Sequence, residues 1–243
     1  INMSFLPSNN PEIKPAFDKN FWHRLALAFI SGFQLRLPSS MTSLTIGIIG
    51  LGYVGLPLSL QFARTGSVVL GFDIDPEKTN ALMESRSYIL HIPAEAVREQ
   101  REAGRLAATT DFARASECEA LIICVPTPLA RHRDPDLTYV LNTGRAIAPH
   151  LRPGQLVVLE STTYPGTTDT ELREVLEAGS GLKAGTDFHL AFSPEREDPG
   201  NPQSDVAHIP KIVGGFTAEC QKHALAVYGR AIKTLVPVES CRV

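Results

Sequence analysis

Short apolar runs alternate along this chain with segments that are long enough to form helices. A short apolar run bounded by turn residues is typical of a buried strand. The predicted strands are Leu44–Ile49, Val68–Phe72, Leu121–Val125, Leu156–Leu159, His189–Phe192 and Ile212–Gly214. The predicted helices are Val54–Arg64, Pro76–Glu84, Ala94–Glu102, Leu137–Ala146, Thr168–Glu177 and Ala218–Arg230. This alternation predicts an α/β fold with a doubly wound parallel sheet.

A glycine-rich turn joins the first predicted strand to the first predicted helix, with the sequence GLGYVG over residues 50–55. In such a turn Gly50 makes the tight bend, Gly52 lets a pyrophosphate approach the backbone, and Gly55 lets helix and strand pack closely. The N-terminus of the helix then offers N–H groups and partial positive charge to the phosphates. The pattern therefore predicts a Rossmann-type unit that binds a dinucleotide.

An acidic residue, Asp73, ends the second predicted strand. A carboxylate at this position can accept hydrogen bonds from the ribose hydroxyls and repels a 2′-phosphate, so we expect NAD rather than NADP. The alternative is a glycine-rich turn that binds nothing. The order of strand, turn, helix, strand and acidic residue favours the binding role.

Three further loops begin where predicted strands end, at the edge where ligands bind in an open parallel sheet. They cover residues 125–128, 160–168 and 193–200, with the sequences VPTP, ESTTYPGTT and SPEREDPG. Serine and threonine after a strand are also frequent helix caps, and the acidic run can be a solvated loop. The shared edge favours binding, and we expect Gly52, Thr127, Thr163 and Glu195 to face one cleft.

Composition narrows the class of protein. The 243 residues are 43% hydrophobic, enough for one large α/β core, and the sequence contains no candidate membrane span. A formal net charge of -3 argues against nucleic acid and anionic membranes as partners. The four cysteines show no zinc or disulfide spacing, so we expect no metal site and a reducing, cytoplasmic setting.

The sequence also predicts a division of the chain. Residues 1–40 have no identifiable partner strand, and we expect a poorly packed leader, with Met41 as a plausible start of the native protein. Residues 41–230 then form the dinucleotide-binding domain. Residues 231–243 form a last strand and the start of a connection to a further part. An apolar stretch at residues 25–33 lacks a following signal-peptide cleavage site, which argues against export.

The loops resemble those of the nucleotide-sugar 6-dehydrogenases, the UDP-glucose/UDP-mannose dehydrogenase family. The resemblance spans Met41 to Val243 and rests on four segments in the family's order: GLGYVGLP from residue 50, VPTP from 125, ESTT from 160 and SPER from 193. The UDP-glucose branch usually has Asn-Pro-Glu followed by Phe-Leu, which is absent here. The segments at 87–92, 133–137 and 194–201 are most similar to the UDP-N-acetylglucosamine 6-dehydrogenase branch.

The resemblance implies NAD-dependent oxidation of the C6 alcohol of UDP-N-acetyl-D-glucosamine to UDP-N-acetyl-D-glucosaminuronate, in polysaccharide precursor synthesis. By the same resemblance, the NAD contacts are Tyr53, Val54, Asp73, Lys78, Thr127 and Thr168, beside Gly50, Gly52 and Gly55. Glu195 matches a glutamate that handles protons and water, and Thr163 matches a threonine beside the reacting centre. Substrate contacts are implied for Glu195, Arg196 and Glu197.

One expected component is missing from the sequence. The family's nucleophilic cysteine follows downstream of the matched region, in a glycine-rich segment, and none of Cys118, Cys124, Cys220 and Cys241 has that context. We therefore expect a fragment that is inactive alone and homo-oligomeric when full length. The alternatives are a UDP-N-acetylmannosamine or UDP-glucose 6-dehydrogenase, and an NAD-binding module without catalysis.

Overall fold

The computed structural model describes residues 44–129, 135–195 and 209–242. The predicted leader, residues 1–40, lies outside the described residues. The strands are β1 (Thr45–Ile49), β2 (Val68–Phe72), β3 (Leu106–Thr109), β4 (Ala120–Ile123), β5 (Leu156–Leu159), β6 (His189–Phe192), β7 (Lys211–Gly215) and β8 (Leu235–Val238). The α-helices are α1 (Gly55–Arg64), α2 (Pro76–Met83), α3 (Ala94–Glu102), α4 (Thr138–Ile147), α5 (Arg173–Ser180) and α6 (Ala218–Tyr228). Two 3-10 helices, Phe112–Glu117 and Ala148–His150, and a π-helix, Thr168–Leu172, complete the described elements.

The strands form one sheet in the order β3-β2-β1-β4-β5-β6-β7-β8. Every residue of β4 and β5 is buried, because helices cover both faces of the sheet. Ile46 and Ile48 face a core that includes α1 and α6, whereas Ile49 faces a second core with α4 and α5. Side chains of β1 that point to opposite faces of the sheet therefore contribute to different cores.

The α/β fold class and the doubly wound topology are confirmed. Three strands, Val68–Phe72, Leu156–Leu159 and His189–Phe192, have the predicted bounds. Two differences affect the site. The segment predicted as one helix from Thr168 is a π-helix followed by α5. Among the described strands, β7 runs antiparallel to β6, so the sheet is mostly rather than wholly parallel.

The sheet topology determines where a ligand can bind. From β1 the chain winds through β2 to β3 on one side and then crosses to β4 on the other. The order of strands therefore reverses between β1 and β4, and a crevice opens at their carboxyl ends. Because β7 is antiparallel, its first residue, Lys211, lies at this same edge. No helix in the described parts of the chain has the length and apolar character needed to cross a membrane.

Candidate functional site

A cleft of about 730 Å³ opens at the carboxyl edge of the sheet. It is lined by residues that follow β1, β2, β4, β5 and β6, as expected for the switch point of a doubly wound sheet. The predicted site residues that line it are Gly50, Gly52, Tyr53, Val54, Asp73, Lys78, Thr127 and Glu195. The structure therefore gathers most of the predicted site into one cavity.

The glycine turn brings backbone, rather than side chains, to the wall of the cleft. Gly50 has φ +93°, and its N–H donates a 2.8 Å hydrogen bond to the carbonyl of Phe72. A Cβ added to Gly55 would lie 1.9 Å from the carbonyl oxygen of Gly50. A Cβ added to Gly52 would meet no atom within 4 Å, so it would occupy open space. The turn leaves room for a pyrophosphate where Gly52 faces the cleft.

The first helix is open to an anion at its N-terminus. Its N-terminal cap residue, Val54, forms no capping hydrogen bond through its side chain. The first N–H groups of a helix lack partners within the helix and carry partial positive charge. Together with Gly52, this end of α1 supplies the phosphate-binding features that the sequence predicts.

Asp73 lies at the end of β2 and forms one end of the cleft. It is buried, and Oδ2 accepts a 2.8 Å hydrogen bond from the N–H of Leu51 while Oδ1 accepts one of 3.0 Å from Asp75. The ammonium of Lys78 is 3.3 Å from Oδ2. The carboxylate is thus held in place by the glycine turn, where it can accept ribose hydroxyls.

The segment at residues 87–92 packs against the outer side of the glycine turn. The hydroxyl of Tyr88 donates a 2.6 Å hydrogen bond to the carbonyl of Leu51. Burial, with help from the charges of Asp73 and Asp75, raises the pKa of Tyr88, so the hydroxyl remains a donor. The rings of Tyr53 and His91 stack with centroids 6.1 Å apart. This segment therefore supports the turn from outside the sheet.

At the other end of the cleft, two hydroxyl groups join the loops after β4 and β5. Thr127 donates a 2.6 Å hydrogen bond to the carbonyl of Thr162, and Ser161 donates one of 2.7 Å to the carbonyl of Val125. Ser161 and Thr162 line the cleft, but Thr163 does not.

Besides Thr163, two predicted site residues in the described part of the chain do not reach the walls of the cleft. Thr168 is buried at the start of the π-helix. Gly55 lies under the turn against Gly50 and acts through packing. The predicted substrate contacts Arg196 and Glu197 lie outside the described residues. The roles assigned to Thr163, Thr168, Arg196 and Glu197 stay predictions.

A buried polar cluster lies beneath this second end of the cleft. Glu160 follows β5 and is 2% exposed, yet it contributes to the lining. One carboxylate oxygen accepts a hydrogen bond from the ammonium of Lys211, and the other accepts one from the hydroxyl of Tyr228. The ammonium also lies 5.4 Å from the centre of the Tyr228 ring.

The charge states of this cluster follow from its surroundings. Burial alone would lower the pKa of Lys211, but the charge of Glu160 and its hydrogen bond outweigh burial and raise it. Glu195 and Cys124 add smaller contributions in the same direction. Burial and the charge of Glu160 raise the pKa of Tyr228 well above its usual value. Lys211 is therefore an ammonium and Tyr228 a neutral phenol, and both donate hydrogen bonds to Glu160.

No role was predicted for Lys211 or Tyr228 from the sequence. Glu160 was part of a recognised loop, whereas Lys211 is a single lysine at the start of an apolar strand and Tyr228 a single tyrosine in a helix. Neither residue carries a pattern that could have identified it. The antiparallel direction of β7 brings Lys211 to the carboxyl edge of the sheet, next to Glu160.

The cysteines show no sign of a nucleophile. All four are buried, and Cys124 lines the cleft. Burial raises the pKa of Cys118 and of Cys241 to about 12, which keeps both thiols protonated at neutral pH. The described residues contain no cluster of histidine, cysteine or acidic side chains that could hold a metal ion.

Comparison with known proteins decides the family. A family model described as "UDP-glucose/GDP-mannose dehydrogenase family, NAD binding domain" matches residues 44–232. The chain belongs to this family. The resemblance seen in the sequence is confirmed, with GDP-mannose rather than UDP-mannose as the second sugar nucleotide of the family name. NAD is the cofactor of this domain, and the open backbone at Gly52 and the placement of Asp73 fit it.

Individual relatives agree with the family. The UDP-N-acetyl-D-glucosamine 6-dehydrogenase of Pseudomonas aeruginosa is 36% identical over 192 residues, which cover 79% of this chain and 44% of the relative. The enzyme of the same name from Salmonella typhi is 38% identical over 77% of this chain and 43% of the relative. The solved UDP-D-ManNAc dehydrogenase of Pyrococcus horikoshii superimposes with a TM-score of 0.76 at 32% identity, covering 82% of this chain and 47% of that one. The chain therefore spans less than half the length of these relatives.

We expect the substitution of alanine to have different consequences at Gly55 and at Gly52. Gly55→Ala forces a Cβ against a backbone carbonyl, so we expect the unfolding free energy to fall by about 1–3 kcal/mol. Gly52→Ala meets no neighbouring atom, so stability should stay within about 0.5 kcal/mol while NAD affinity falls at least tenfold. Urea denaturation and calorimetric titration measure the two effects. Unchanged NAD affinity in Gly52→Ala would contradict the assigned phosphate site.

Proposed function

We propose that this chain is the NAD-binding part of a nucleotide-sugar 6-dehydrogenase that oxidises UDP-N-acetyl-D-glucosamine to UDP-N-acetyl-D-glucosaminuronate. The observation that carries the proposal is the single cleft that joins the glycine turn and Asp73 at one end to Glu160 and Glu195 at the other. Two relatives that bear the name of this activity match 77–79% of the chain. A cytoplasmic location and a homo-oligomeric full-length enzyme are part of the same proposal.

Residues at different positions in the cleft are proposed to bind different parts of the cofactor. When bound, NAD supplies the electron acceptor for oxidation of the alcohol. Asp73 holds the adenosine ribose and Gly52 admits the pyrophosphate. Thr127, fixed by its hydrogen bond to Thr162, orients the nicotinamide half. This arrangement leaves the reacting end of the cofactor beside the loop that contains Glu195.

Glu195 and its neighbours are assigned to the substrate side. Glu195 lines the cleft, and its carboxylate can accept a proton from water or from the sugar hydroxyl and later return it. Thr163 is proposed to lie beside the reacting centre, Thr168 to contact the cofactor, and Arg196 and Glu197 to contact the UDP-sugar. All four cysteines of the chain are buried, so the proposal assigns the thiol for the family's covalent chemistry to a segment outside the matched part.

Three other functions are each supported by a specific observation. UDP-N-acetylmannosamine is favoured by the fold similarity to a dehydrogenase named for that sugar, and UDP-glucose by the family name. A non-catalytic NAD-binding module is favoured by the burial of every cysteine. Activity with different UDP-sugars distinguishes these possibilities.

Because of the carboxylate of Asp73, we expect the cleft to prefer NAD over NADP. We expect Asp73→Ala to weaken NAD binding by about tenfold and to improve NADP binding, because the repulsion disappears and Lys78 then faces the 2′-phosphate. Fluorescence titration of both reduced cofactors gives the two affinities. The control is Asp75→Ala, which removes the cap of α2 but leaves the cleft intact. Equal affinity of the unmodified chain for both cofactors would contradict the assignment.

The activity is tested in a chimera that replaces the matched half of the Pseudomonas aeruginosa relative with residues 44–232 of this chain. We expect the chimera to form NADH with UDP-N-acetyl-D-glucosamine, and the chain alone to bind NAD without forming NADH. Glu195→Gln should reduce turnover by about a hundredfold, since a positioned acid-base group contributes that much. The control is Glu174→Gln, an exposed carboxylate on α5.

The assay follows NADH absorbance with UDP-N-acetyl-D-glucosamine, UDP-N-acetyl-D-mannosamine and UDP-glucose. If UDP-N-acetyl-D-mannosamine or UDP-glucose is oxidised faster than UDP-N-acetyl-D-glucosamine, that sugar nucleotide is the substrate. Turnover by the chain alone would show that it already contains the nucleophile, contrary to the proposal. A folded chimera that binds NAD but oxidises none of the sugars would favour the binding module.

A further inference from the structure

The Glu160–Lys211 pair is arranged asymmetrically about the cleft. Glu160 belongs to the lining, whereas Lys211 and Tyr228 lie behind it and do not line the cavity. The side chains of Lys211 and Glu160 are 10% and 1% exposed. The pair therefore presents its negative member to the cleft and keeps its positive member in the protein interior.

The surroundings of Tyr228 hold this orientation. Tyr228 is fully buried at the end of α6, and its ring packs 6.3 Å from that of Phe62 on α1, the helix that begins at the glycine turn. Both carboxylate oxygens of Glu160 have donors, so the carboxylate has a single arrangement. Removing two charges from water is costly, and such a pair is often no more stable than apolar residues of similar size. A role in ligand binding accounts for its presence better than stability does.

In the cofactor orientation proposed above, the pair lies at the end of the cleft that receives the nicotinamide. Asp73, which takes the adenosine ribose, lies on the β2 side of the glycine turn, and Glu160 lies on the β5 side. A dinucleotide whose pyrophosphate contacts Gly52 must extend from one side to the other. The nicotinamide ring carries a positive charge in NAD⁺ and none in NADH, while the adenosine halves are identical.

We propose that the Glu160–Lys211 pair determines the preference of the cleft for the oxidation state of the cofactor, because its negative end faces the nicotinamide and favours NAD⁺ over NADH. The inference rests on the proposed function only in requiring that the cleft binds NAD. Neither the sugar nor the catalytic residues enter it. Lys211 and Tyr228 act as positioning residues, since they reach the cofactor only through Glu160.

The test is the ratio of the NADH dissociation constant to that of NAD⁺, measured by calorimetry on the full chain. Glu160→Gln leaves the charge of Lys211 behind the nicotinamide and should lower the ratio about tenfold, the Coulomb effect of one charge roughly 10 Å away at an effective dielectric constant of about 20. The double variant Glu160→Gln with Lys211→Met removes both charges. Its ratio should fall between that of Glu160→Gln and that of the unmodified chain.

Two controls separate this charge effect from structural damage. Asp73→Asn changes one charge at the adenosine end, so it should weaken NAD⁺ and NADH equally and leave the ratio unchanged. Glu219→Gln makes the same substitution at the exposed start of α6, at the opposite edge of the sheet, and should change neither affinity. Circular dichroism and thermal unfolding establish that each variant is folded.

The outcomes are distinct. If Glu160→Gln does not fold, the double variant decides, because it leaves no buried charge without a partner: a ratio lowered severalfold supports the proposal, and an unchanged ratio overturns it. If the unmodified chain binds both forms but no variant alters the ratio, the inference fails and cofactor binding stands. If the unmodified chain binds neither form, cofactor binding and the inference fail together.

Discussion

The close approach of Gly55 to the carbonyl of Gly50 is the constraint on which the site depends. A Cβ at residue 55 would lie 1.9 Å from that oxygen, so only glycine lets α1 begin directly above the end of β1. This packing brings the N-terminus of α1 to the cleft and leaves Gly52 beside open space. Asp73, which follows β2, accepts a hydrogen bond from the N–H of Leu51 and so joins the end of β2 to the glycine turn. Backbone geometry, rather than side-chain chemistry, therefore creates the phosphate site.

The other half of the cleft depends on a change in strand direction. A parallel β7 would begin at the opposite edge of the sheet, far from Glu160. The antiparallel β7 instead begins at the carboxyl edge, and Lys211 reaches the carboxylate that follows β5. The carboxylate is thus supported by three elements, β5, β7 and α6, that are distant in sequence. Its position in the cleft is a property of the assembled fold.

Much of the fold and the cofactor half of the site could be predicted because their signals are local. The apolar runs of β2 and β5 and the glycine turn each depend on residues that are adjacent in sequence. β3 was not predicted, because Leu-Ala-Ala-Thr has little of the β-branched or aromatic character of a strand. Parallel and antiparallel strands have the same apolar signature, so the direction of β7 could not be deduced either.

The substrate half was less predictable for the same reason. The loop after β5 was recognised, but whether Thr162 or Thr163 faces the cleft depends on how the backbone leaves the strand. The π-helix at Thr168 turns that residue into the core, whereas a regular helix was expected. The Glu160–Lys211 contact joins residues 51 positions apart, which no local pattern encodes.

The most direct test of the account is a crystal structure of this chain with NAD⁺ bound. We expect the pyrophosphate against the backbone of Gly52, the adenosine ribose hydrogen-bonded to Asp73, and the nicotinamide beside Glu160 and Glu195. A cofactor bound in the opposite direction, or bound away from Gly52, would contradict it.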